Sequence, residues 1–124
     1  MKYTPQQFAE HGVFRWRDGM RSLQSERFYW CVDKFVDHNG FDYAVEYRFH
    51  TPDLGDPATL RLLLEIIREH TSPKTSVYFD GDTWCVQIYG PQEFSVFGEC
   101  ESDALFEALN AILKERKKCK SVSK

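Results

Sequence analysis

The chain has 124 residues, 42% hydrophobic and 28% charged, with aromatics at 15% and a formal net charge of −3. That size suits one domain with its own core, and the aromatic excess suits a well-filled sheet. No apolar run reaches the roughly 20 residues of a membrane helix and the first residues lack a secretion signal's apolar centre, so no membrane-spanning helix is expected and the protein is expected to be cytoplasmic.

Thr4-Pro5-Gln6-Gln7 places a capping residue, a proline at the first helical position and a glutamine three residues after the cap, and so predicts a short helix over 5–10. Val13 to Leu23, centred on the turn pair Asp18-Gly19, reads as a hairpin. Phe28-Tyr29-Trp30-Cys31-Val32, the turn signal Asn39-Gly40 and the alternating run from Phe41 to Phe49 predict a second, half-exposed hairpin within 26–50. Asp56 caps and Pro57 opens a helix whose apolar stripe is Leu60, Leu63, Leu64 and Ile67. Three strands follow, around Val77–Phe79, Trp84–Ile88 and Phe94–Gly98, with Asp80-Gly81-Asp82 and Gly90-Pro91-Gln92 as turns. Ser102 then caps a final helix with its stripe on Leu105, Ala108, Leu109, Ile112 and Leu113.

The expected fold is α+β: an antiparallel sheet with two amphipathic helices on one face, plus a short N-terminal helix and hairpin. It forms a single domain over 1–118, divided into 1–25, 26–50 and a helix–three-strand–helix unit over 57–118. A disordered basic tail over 119–124 completes the chain.

Charge is segregated: residues 31–113 are strongly acidic and residues 114–124 basic. Asp80, Asp82, Glu93, Glu99, Glu101 and Asp103 all fall at predicted turns or at a helix start, so they can share one edge as an acidic binding surface. Arg15, Trp16, Arg17 and Arg21 interleave cations with an aromatic, as single-stranded nucleic-acid platforms do; with the basic tail they form the alternative, nucleic-acid reading. The order helix, three strands, helix matches a double-stranded-RNA-binding domain. That family grips phosphate with lysines at the start of its last helix, whereas Glu99, Glu101, Ser102 and Asp103 stand there in this chain.

There is no phosphate-binding glycine loop, no Gly-x-Ser-x-Gly elbow and no His-Glu-x-x-His helix, and no catalytic or cofactor-binding residue is assigned. Cys31, Cys85, Cys100 and Cys119 and the scattered histidines keep no metal-ligand spacing, so the cysteines read as free thiols and no metal ligand is assigned. An enzyme would need a site assembled from distant segments.

Three segments carry a family likeness: Trp16-Arg17-Asp18-Gly19-Met20-Arg21; Pro52-Asp53-Leu54-Gly55-Asp56-Pro57-Ala58-Thr59-Leu60 with Leu63-Leu64 and Arg68-Glu69; and Thr83-Trp84-Cys85-Val86 followed by the helix from Ser102 to Ala111. Over residues 14–113 the chain resembles a group of small uncharacterised proteins encoded by phages and prophages. These have no assigned substrate or catalytic residue, so the resemblance implies a phage accessory role and transfers no site. The expectation is a non-enzymatic protein that binds a host or phage protein through its acidic surface, such as an inhibitor of a nucleic-acid-based host defence resembling anti-CRISPR proteins. A free sheet edge leaves homodimerisation open.

Overall fold

The computed structural model describes residues 2–23, 29–31, 34–36 and 51–122, with side chains over 2–23 and 51–115. Helix α1 (Pro5–Glu10) is held by the expected capping box: the Thr4 side chain accepts from Gln7 N–H, and the Gln7 side chain accepts from Thr4 N–H. Helix α2 is preceded by two short antiparallel strands, β1 (Tyr29–Cys31) and β2 (Lys34–Val36). It spans Pro57–His70 with Asp56 as N-cap, the carboxylate accepting from Thr59 N–H at 3.2 Å and from the Thr59 hydroxyl at 2.8 Å. Strands β3 (Ser76–Phe79), β4 (Trp84–Ile88) and β5 (Phe94–Gly98) form an antiparallel sheet in that order. Helix α3 (Glu101–Val122) lies across this sheet, and α2 packs beside α3.

Period-2 alternation decides which sheet residues meet the helices. Val77, Val86 and Val96 share one cross-strand row and Ile88 pairs with Phe94; all five belong to the core or pack against it. They share one hydrophobic core with Leu63, Ile66 and Ile67 of α2 and Leu105, Ala108 and Leu109 of α3, with α3 lying directly on the sheet. A second side of α3 is closed by the N-terminus: Phe106 stacks on Tyr3 at 4.1 Å and meets the edges of Phe8 and His11. Gly98 ends β5 directly against α3, where an added Cβ would stand 2.4 Å from the Ala104 nitrogen.

The fold class is as expected, and several local expectations are corrected. Residues 13–23 do not form a hairpin. Val13 and Phe14 are both buried, which strict alternation forbids, and Asp18-Gly19 makes an isolated turn with Gly19 at φ 101°. The following residues pair elsewhere: Ser22 bridges Pro52, Leu23 N–H donates to Thr51 C=O at 2.8 Å, and Asp53 N–H donates to Arg21 C=O at 2.9 Å. The expected Asn39-Gly40 turn and the strand over 41–49 lie outside the described residues. Helix α3 starts at Glu101, one residue before the expected Ser102 cap, so Ser102 sits inside its first turn. It also continues through Val122, so 119–122 are helical where a disordered tail is predicted; lysine and arginine are good helix formers, and their charge suits a C-terminal dipole. Among the described residues no helix is long and apolar enough to cross a membrane.

Candidate functional site

The cross-strand register sets the site. Phe79, Trp84 and Gly98 form the last row of the sheet, so the β3–β4 turn and the β5–α3 junction emerge at the same end. Asp80, Asp82, Glu99 and Glu101 are thereby gathered there. Glu93 precedes Phe94, which pairs with Ile88 at the opposite end, so Glu93 does not belong to this surface.

Asp80 builds the turn that presents its neighbours. Its carboxylate accepts from Asp82 N–H at 2.9 Å and Thr83 N–H at 2.8 Å, while Gly81 takes φ 106°. The Thr83 and Asp82 amides hold this carboxyl below the usual carboxylate range, so it stays charged. Burial pushes the half-buried Glu101 carboxyl up. Asp103 is not a surface acid: it is 1% exposed and accepts from the backbone N–H groups of Lys2 at 2.8 Å and Tyr3 at 3.2 Å. Two of the six predicted acidic positions therefore leave the surface, one by location and one by burial.

Beside this end lies a cavity of about 440 Å³, lined by Lys2, Tyr3, Thr83, Phe97, Glu99 and Glu107 among others. The Tyr3 hydroxyl donates to Glu107 Oε1. The exposed Lys2 ammonium lies 4.0 Å from the same carboxylate and 5.2 Å from the centre of the Tyr3 ring. Phe97 is 55% exposed and connects the cavity to the outer sheet face, where its row contains Cys85 and Tyr78. Cys85 is buried in the row between them; hydrogen bonding and charge from its thiol push up the pKa of the Tyr78 hydroxyl, and Tyr78 itself is exposed. Phe79, 54% exposed, adds a third ring at the acidic end.

The predicted basic patch is engaged locally. The Arg15 guanidinium donates to the carbonyls of Gly12 and Phe14, and Arg17 forms a two-pronged ion pair with Glu69, one arm at 2.6 Å. Trp16 is partly buried against the core, with its ring edge-on to Phe14. Arg21 is exposed, and its N–H donates to the Thr59 hydroxyl. A stacking platform requires free aromatic faces and unpaired cations; here Trp16 is committed to the core and Arg17 to Glu69.

Among the described residues no group of three His, Cys, Asp or Glu side chains is placed to hold a metal ion. The cavity residues Lys2, Tyr3 and Glu107 escape sequence reasoning because the N-terminus reaches α3 only through tertiary structure. Tyr78 and Phe97 were accessible to it: each is out of phase with the inward valines beside it. Comparison with family models, with curated proteins and with solved structures returned no match.

Proposed function

We propose that this protein acts without catalysis, by binding a protein partner through the acidic, aromatic end of its sheet, as an accessory protein of the phage type that its sequence resembles. The observation that carries this reading is the exposure of Tyr78 and Phe97 on the outer face of the sheet, at the end that also carries the exposed Phe79 and the acids Asp80, Asp82 and Glu99. Large exposed rings with a polar rim are the anatomy of an interface, and aromatics supply most anchor residues in such contacts. Fixed carboxylates also imitate phosphate, so a fitting partner is a host protein with a phosphate-binding groove, such as a nucleic-acid-guided defence effector in the host cytoplasm. Here the protein occupies the groove and keeps nucleic acid out.

Affinity capture from phage-infected bacteria tests this, using the protein and a variant with Asp80, Asp82, Glu99 and Glu101 each changed to Lys. Partner recovery is expected to collapse with the variant and to fall as salt rises. Unchanged recovery contradicts the proposal. In a gel-shift assay at physiological salt the protein is expected to leave single- and double-stranded oligonucleotides unshifted, because the cations of residues 15–17 are tied down.

A further inference from the structure

The cavity beside the acidic end has a chemistry more specific than its charge. Its walls combine two carboxylates, Glu99 and Glu107, with the rings of Tyr3 and Phe97. A cation already samples this combination: Lys2 Nζ stands 4.0 Å from Glu107 Oε1 and over the Tyr3 ring. The Lys2 side chain is 71% exposed, so it visits the site from outside and is not part of the floor. The floor carries a third carboxylate, Asp103, which is buried and accepts from the backbone N–H groups of Lys2 and Tyr3. Glu107 is engaged by the Tyr3 hydroxyl and by Lys2, so the occupant these walls suit is a planar or compact cation that takes the place of Lys2, reaches Glu99 as well and has room for an aromatic contact.

Resting on the protein-binding reading above, we propose that this cavity receives an arginine side chain of the partner, its guanidinium directed at Glu99 and Glu107 and flanked by Tyr3 and Phe97, with Lys2 displaced. Arginine fits better than lysine because its flat guanidinium stacks on rings and forks onto carboxylates, and it is shed from water more readily than an ammonium. An anion is repelled by both glutamates. A groove-lining arginine is also the residue that phosphate-binding proteins carry most usefully, which ties the cavity to the partner class proposed above.

Fluorescence anisotropy with fluorescein-labelled hexa-arginine, hexa-lysine and hexa-citrulline peptides provides the test. Saturable binding of hexa-arginine is expected, several-fold tighter than hexa-lysine, with none for hexa-citrulline. Phe97→Ala and Glu107→Gln are each expected to weaken it about three- to tenfold, and Lys2→Ala to tighten it about two- to threefold by removing the resident cation. Phe97 and Lys2 are exposed, so those two variants report on the cavity even if Glu107→Gln loosens the N-terminus. Equal binding of hexa-lysine, or binding indifferent to Phe97→Ala, overturns the proposal. Reversal of Asp80, Asp82 and Glu101, none of which lines the cavity, separates the two ideas. If that reversal abolishes capture of the partner while Glu107→Gln spares it, the cavity assignment is wrong and the acidic-end reading stands.

Discussion

Asp103 ties the first residues of the chain to α3 with two hydrogen bonds to a buried carboxylate. Asp103→Ala leaves both N–H groups without that partner and is expected to cost about 1–3 kcal/mol in chemical denaturation. Asp82→Ala, on the exposed turn, is expected to change stability by less than about 0.5 kcal/mol. Gly98→Ala drives a methyl into the backbone at Ala104, an overpacking without a flexible neighbour to give way, and is expected to cost about 1–3 kcal/mol. His11 contributes a pH dependence. Val13 N–H donates to its Nδ1 at 3.1 Å, so the ring proton sits on Nε2 and is donated to Asn110 Oδ1 at 2.9 Å. Burial outweighs the Asn110 bond and lowers the His11 pKa, so the folded state takes up the proton less readily than the unfolded chain. The His11 contribution is complete above the unfolded value of about 6.5 and declines as pH falls from there toward the lower folded value. Denaturation at pH 7.5 and pH 5 is expected to show a larger stability loss for the wild type than for His11→Gln.

At the scale of elements, α2 was readable in full because every signal for it is local. Asp56, Pro57 and the leucine stripe are neighbours in sequence, and each does in the fold what its chemistry predicts. Asp56→Ala is expected to cost about 1 kcal/mol, measurable by thermal denaturation. Strands β3 to β5 were legible for a similar reason, through alternation and turn residues. The segment from Val13 to Leu23 was not. Its Asp18-Gly19 pair makes the expected turn, but its pairing partner is Thr51–Asp53, some thirty residues away, and no local pattern encodes that choice. The acidic site was half legible for the same physical reason. Register places Asp80 and Glu99 together from sequence spacing alone, whereas the burial of Asp103 depends on where the N-terminus docks.

At the scale of the whole molecule, the sheet divides the protein into a core side closed by α2 and α3 and an end where carboxylates and exposed rings meet. The buried thiol of Cys85 and the buried Asp103 belong to the scaffold; Asp80, Asp82, Glu99, Phe97 and Tyr78 are the exposed groups proposed to meet the partner. Hydrogen–deuterium exchange on the captured complex, set against the free protein, tests this assignment most directly. New protection is expected in peptides covering 78–84 and 97–107, with α2 and residues 13–23 unchanged. Protection confined to residues 13–23 or to α2, with the acidic end exchanging as in the free protein, would contradict it.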